Sequence, residues 1–123
     1  MIRDKQEMLA LLTGTQTIAA SLPMADWRVI ADTSARMRHS YVLEKKLTQA
    51  QEEELSRLPS QFKSLDEAFH LRAEKLERAA VTRDAEAVAF QFSRLLEECT
   101  ECHAKFAQGK FPAFGTAYGD DRH

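Results

Sequence analysis

Glycine and proline are scarce in this 123-residue sequence, which contains four glycines and three prolines. They lie mainly between segments of helical period or in the C-terminal part of the chain. Long apolar runs are also missing, since none approaches the roughly 20 residues that a membrane-spanning helix needs. Charge of one sign is not in excess, because 17 basic and 19 acidic residues leave a net charge of −2. Neither a nucleic-acid partner nor an anionic membrane surface is therefore indicated.

Because helix breakers are so few, long segments keep apolar residues three and four positions apart, as on one face of an α-helix. This spacing predicts four helices, over residues 3–21, 25–46, 61–81 and 84–107. The positions predicted to face inward are, helix by helix, Met8, Leu11, Leu12, Thr15, Ile18, Ala19 and Leu22; Trp27, Ile30, Ser34, Met37 and Tyr41; Phe62, Leu65, Phe69, Leu76 and Ala80; and Val88, Phe92, Leu95, Cys99, Cys102 and Phe106.

Local signals mark the ends of these helices. Pro23 ends the first helix, since the residue before a proline avoids the α conformation. Gly14 is a weak point within that helix. Asp84 can cap the fourth helix. The longer link between the second and third helices is expected to form one or two exposed turns around residues 52–55, which stop near Pro59.

Four helices with short first and last links predict one domain over residues 1–123, an all-α, antiparallel up-down-up-down four-helix bundle. In this arrangement the first and fourth helices are antiparallel neighbours. The start of the first helix then lies beside the end of the fourth. Met8 and His103 are therefore predicted at the same end of the bundle.

The only two cysteines lie in one motif, Cys99-Thr100-Glu101-Cys102-His103. Cys-x-x-Cys-His is the attachment signature of a c-type haem, in which both thiols form thioether bonds and the histidine binds the iron. On a helix, the two cysteines and the histidine stand at i, i+3 and i+4 and share one face. A redox cysteine pair and half of a zinc site are the alternatives, but no strand is predicted and structural zinc usually needs four ligands. No disulfide is expected.

A four-helix domain with this motif on its last helix resembles the class II cytochromes c, the cytochrome c′ and cytochrome c-556 group, and cytochrome b562 shares the architecture. The resemblance covers essentially the whole chain, and the motif from Cys99 to His103 is its one specific motif. It implies a periplasmic protein with covalent haem c. Low-spin members place a methionine of the first helix on the sixth iron position, which Met8 matches. High-spin members leave that position open, facing a hydrophobic pocket.

The four methionines differ in their suitability as the sixth ligand. Met24 lies at the wrong end of the bundle, and Met37 is placed to fill the core. Met1 is near the right end, but a terminus is expected to fray. Met8 lies on the apolar face at the right height, where the alternative role is packing over an open haem face. The predicted metal ligands are therefore His103 and Met8.

The remaining histidines and the aromatic residues give weaker signals. His39, His70 and His123 are more readily explained as structural than as iron ligands. The phenylalanines either fill the core or line the haem and set its dielectric, and Phe106, one turn beyond His103, is the best candidate for the second role. The others are Phe62, Phe69, Phe92, Phe111 and Phe114.

The function predicted first is a one-electron carrier, a monohaem c-type cytochrome whose iron is closed by His103 and Met8. The alternative is a five-coordinate cytochrome c′-like protein that binds nitric oxide or carbon monoxide. A third possibility is an interaction protein in which haem is structural. No acid–base pair or nucleophile constellation stands out, so no enzyme is predicted. Redox proteins are the expected partners, and the resemblance adds a homodimer as an alternative to a monomer, with Trp27 or Tyr41 at its interface.

The N-terminal segment bears on the compartment. Residues 8–22 loosely resemble the apolar part of a signal peptide, but Asp4 and Glu7 do not fit the basic region that precedes such a part. They are interpreted as mature helix. Because haem attachment in bacteria normally occurs outside the cytoplasm, we expect a periplasmic protein whose signal peptide is absent from this chain.

Overall fold

The computed structural model describes residues 5–39, 49–57 and 59–115, and within these ranges every regular element is a helix. The α-helices are α1 (Lys5–Ser21), α2 (Trp27–Arg38), α3 (Gln49–Ser56), α4 (Ser60–Val81) and α5 (Ala85–Phe106). Short 3₁₀ turns lie at Leu22–Met24 and Pro112–Phe114. The four long helices form the all-α four-helix bundle that the apolar spacing predicts. The short α3 occupies the link in which exposed turns were expected.

The second helix is shorter than predicted, and its start has a local cause. Ala25 adopts a left-handed conformation with φ of 55°, so the helix does not begin there. Asp26 caps α2 instead, because its side chain accepts a hydrogen bond from the backbone N–H of Val29 at 3.5 Å. The helix ends at Arg38 rather than at residue 46. Tyr41, which was predicted to face inward, lies outside the described residues.

An opening lies between α1 and α5, because each of the other pairs of neighbouring long helices packs closely. α2 packs on both α1 and α4, and α4 packs on α5. α5 also approaches the turn at Leu22–Met24 that follows α1. Elsewhere in the described ranges, the backbones of α1 and α5 stay further apart than those of the other neighbouring long helices. The two helices therefore converge at that turn and leave a wedge towards the end that holds Met8 and His103.

The core consists of apolar side chains from all four long helices. Ile18, Ile30, Leu76, Val88 and Leu95 are fully buried. Burying a side chain of this size contributes about 1.5–3 kcal/mol, so this layer is the main source of stability.

Among the described residues, two ion pairs connect the long helices near the core. Arg38 of α2 contacts Glu77 of α4 at 3.2 Å, and Arg72 of α4 contacts Glu98 of α5 at 3.4 Å. Both pairs are largely withdrawn from solvent, so they fix how α4 sits against its two neighbours more firmly than exposed pairs would.

The buried face of α1 differs from the predicted one. Leu12 and Ala19 were expected to face inward, but both are exposed, Leu12 by 53%. The buried positions instead repeat three and four apart, at Leu11, Gly14, Ile18 and Ser21. Gly14 is not a weak point in this setting. A Cβ atom there would lie 2.8 Å from the Sδ of Met37, so the glycine lets α1 approach α2 closely.

Candidate functional site

A cleft at the open end of the wedge brings together residues of α1, α4 and α5. It contains about 460 Å³ of empty space, including its open mouth, and its walls are mainly apolar. The residues that line it are Met8 and Leu11 of α1, Phe62, Leu65, Asp66 and Phe69 of α4, and Glu98, Cys99, Cys102 and His103 of α5. Every residue of the attachment motif that carries chemistry thus opens on one apolar space.

The attachment motif lies on the helix as its spacing predicts. Cys99, Cys102 and His103 belong to the last two turns of α5, which continues to Phe106. Both cysteines are half-buried. Two thiols and an imidazole on one helix face, beside an apolar cleft, are the donor set that a covalently bound haem requires. The residues present therefore fit this cofactor.

The alternative interpretations of the two cysteines have less support. The described residues contain no strand, whereas a redox pair of the thioredoxin type follows a strand in a βαβ unit. A zinc site would need further ligands beside Cys99 and Cys102. In the part of the chain that the structure describes, no three His, Cys, Asp or Glu side chains are grouped so as to hold a metal ion.

The environment of His103 favours its ligating form. Burial lowers the pKa of its imidazole below the ordinary value, so the neutral ring persists to lower pH. Only the neutral ring offers a nitrogen lone pair to a metal. One face of the ring stacks on Phe111, with the ring centroids 4.5 Å apart and the planes 22° from parallel. The backbone oxygen of His103 accepts a hydrogen bond from the N–H of Ala107 at 3.0 Å.

Met8 lines the cleft together with the attachment motif. It is half-buried and packs against the core. Met37 is 3% exposed within the core, and Met24 is 70% exposed at the turn after α1. Met1 lies outside the described residues. The burial pattern agrees with the reasoning that preferred Met8, while its role as an iron ligand stays a prediction.

The other histidines that the structure describes, His39 and His70, do not line the cleft. His39 is exposed at the C-terminal end of α2. The Nδ1 of His70 lies 3.4 Å from the backbone oxygen of Arg38, at the contact of α4 with α2. His123 lies outside the described residues.

Among the phenylalanines, Phe62 and Phe69 line the cleft directly. Phe106 stands behind Phe62, with the two rings edge to face at a centroid distance of 5.3 Å. A direct contact of Phe106 with the haem stays a prediction.

Two carboxylates in the cleft wall, Asp66 and Glu98, were not predicted as site residues. Burial raises the pKa of Glu98, while the Arg72 guanidinium opposes the rise by its charge and by a hydrogen bond from its Nε to Oε2. The other carboxylate oxygen, Oε1, is buried without a hydrogen-bond partner. The sequence could have indicated Glu98, because it lies three residues after buried Leu95 and four before Cys102 and so shares their face of the helix.

Comparison with known proteins identifies one family. A family model described as Cytochrome C' matches residues 1–107 of the chain, which include the cleft and the whole attachment motif. No curated protein and no solved structure matches the chain. Within the described ranges, each helix is too short or too polar to cross a membrane.

Proposed function

The chain belongs to the cytochrome c′ family of c-type haem proteins, and on that premise we propose that it is a monohaem one-electron carrier in which His103 and Met8 would bind the iron. The observation that carries the proposal is the cleft itself. One apolar space is lined by the thioether of Met8 on α1 and by the cysteines and imidazole of the motif on α5.

In such a carrier, each of the cleft residues would have its own role. A bound haem supplies a one-electron iron couple. Cys99 and Cys102 would hold it to α5 through thioether bonds, and neutral His103 would donate a nitrogen lone pair. Met8 donates a soft, neutral sulfur that suits both oxidation states of iron. Apolar walls such as Phe62 and Phe69 keep water away, which raises the reduction potential by disfavouring the more highly charged oxidised state.

The bundle also limits the rearrangement that accompanies electron transfer. Met8 and His103 lie on two helices that are joined to the rest through a packed core, and Arg72 ties α5 to α4 beside the cleft. Ligands held in this way need not move when the iron changes its charge. A closed iron leaves no position for a small molecule, so electron exchange is the remaining chemistry.

A five-coordinate protein that binds nitric oxide or carbon monoxide is the second candidate. It is favoured by the apolar residues beside Met8, because Leu11 and Phe69 would form a hydrophobic pocket over an open sixth position. The two candidates differ in one fact, which is whether Met8 binds the iron or packs beside it.

The experiment is to express the chain in a haem-attaching host and to record its oxidised absorption spectrum. Electron transfer through His/Met iron predicts a low-spin spectrum and no carbon monoxide binding to the reduced protein. A high-spin spectrum with rapid carbon monoxide binding would instead support the gas-binding candidate. After denaturing electrophoresis, a haem stain should remain on the wild-type chain and vanish from the double variant Cys99→Ser, Cys102→Ser. Loss of haem from the denatured wild type would contradict covalent attachment.

The compartment and the partners follow from the same chemistry. Because haem is normally attached outside the bacterial cytoplasm, we place the mature protein in the periplasm, where proteins of this family are generally found. Its partners are proposed to be soluble or membrane-bound redox proteins. A homodimer is also consistent with the family, whose members are often dimeric.

A further inference from the structure

The ring of Phe111 lies against the proposed iron ligand, His103, although Phe111 comes eight residues later in the sequence. Eight residues of straight helix beyond His103 would carry Phe111 about 12 Å away. The structure instead stacks the two rings at a centroid distance of 4.5 Å, with 22° between their planes. α5 ends at Phe106, and the chain then turns back to bring the ring to this place.

The backbone around this ring is fixed by hydrogen bonds. The N–H of Ala107 bonds to the oxygen of His103 at 3.0 Å, and the N–H of Phe111 bonds to the oxygen of Ala107 at 3.1 Å. The oxygen of Phe111 in turn accepts from the N–H of Phe114 at 3.1 Å. Pro112 restricts the residue before it, and Phe111 has φ of −129° and ψ of 69° outside the helical region. The backbone that carries the ring is thus hydrogen-bonded on both sides.

The stack is compatible with iron binding. A metal approaches an imidazole nitrogen in the plane of the ring, whereas Phe111 covers a face of the ring. The contact therefore leaves the ring nitrogens accessible at the edge. It also opposes rotation of the imidazole about its Cβ–Cγ bond and removes water from the covered face. Offset or tilted aromatic pairs at this distance contribute beyond the area they bury.

We propose that Phe111 is a positioning residue for the iron ligand His103, whose imidazole plane it fixes and whose covered face it keeps dry. This inference rests on the proposed function, because it assumes that His103 binds the iron. Both effects act on the haem through its ligand. The orientation of the imidazole plane sets the anisotropy of the oxidised iron, and a dry ligand environment favours the reduced state.

The test compares three variants of the haem-loaded protein. Phe111→Leu keeps an apolar side chain but removes the ring, and Phe111→Tyr keeps the ring. Phe114→Leu is the matched control, because Phe114 lies in the same segment and is 42% exposed, against 40% for Phe111. The readouts are the reduction potential and the g-value anisotropy of the oxidised haem in electron paramagnetic resonance, with thermal unfolding as a check of structure.

Phe111→Leu is expected to lower the reduction potential and to shift or broaden the g-values, whereas Phe111→Tyr and Phe114→Leu keep the wild-type readings. Wild-type potential and g-values in Phe111→Leu would overturn the inference and leave the proposed function intact. Equal changes in Phe111→Leu and Phe114→Leu would also overturn it, since they would report a general effect of the segment. A wild-type protein without covalent haem bound through His103 would overturn the proposed function itself, and this inference with it.

Discussion

The variant Met8→Ala tests whether Met8 binds the iron or only packs beside it. The side chain contacts the core and lines the cleft, but it is only half-buried. Truncating a fully buried methionine typically costs about 2–5 kcal/mol, so the free energy of unfolding should fall by about 2 kcal/mol here, at the lower end. Met24→Ala is the control, because Met24 is 70% exposed and its truncation should change stability by less than about 0.5 kcal/mol.

The haem of Met8→Ala reports on ligation independently of stability. If Met8 binds the iron, its loss should make the oxidised protein high-spin, allow carbon monoxide to bind the reduced protein and lower the reduction potential. Absorption spectroscopy, carbon monoxide titration and potentiometry on both variants measure these changes. A Met8→Ala protein with the wild-type spectrum and potential would show that Met8 only packs. The gas-binding function would then gain support if the wild type were already high-spin, and a second histidine ligand if it were low-spin.

The remaining predictions concern packing and charge. Gly14→Ala gains about 1 kcal/mol of helix propensity but places a methyl group 2.8 Å from the Sδ of Met37, so overpacking of about 1–3 kcal/mol should make the variant less stable. In a Met37→Ala background the same change should stabilise, and equal effects in both backgrounds on denaturant unfolding would contradict the contact. Burial raises the pKa of Glu98 despite the opposing Arg72, so the folded protein keeps a proton that the unfolded chain has already lost. Stability should therefore fall as pH rises from the unfolded to the folded pKa of Glu98. Glu98→Gln should flatten this decline, whereas Glu67→Gln, at an exposed position of α4, should not. Parallel profiles for wild type and Glu98→Gln would refute the prediction.

Local chemistry was predictable from the sequence because it depends on residues close together in the chain. The motif from Cys99 to His103 needs only a helix to bring its donors to one face, and α5 provides it. Asp84 caps α5 as predicted, with its carboxylate accepting from the N–H of Ala87 at 3.0 Å. The expected proximity of Met8 to the motif followed from treating the first and fourth helices as antiparallel neighbours, and the cleft includes both.

Features that depend on distant contacts were not predictable in the same way. An apolar stripe does not fix the rotation of a helix to within one residue, so Leu12 was assigned to the interior although it is exposed. Gly14 was judged by helix propensity alone, because its neighbour Met37 comes from another helix. The stack of Phe111 on His103 requires a reversal of the chain after α5, which no periodic pattern encodes.

The wide gap between α1 and α5 has a consequence for how the rigid haem ring would enter the fold. α4 packs on both α2 and α5, whereas the closest backbone packing of α1 is with α2 alone. A swing of α1 about the turn at Leu22–Met24 would widen the wedge and leave the contacts of α4 with its two neighbours intact. The attachment face of α5 and the phenylalanines of α4 would then already be assembled while α1 stands open. Haem attachment on α5 would then be possible before α1 packs against the bundle and brings Met8 to the cleft.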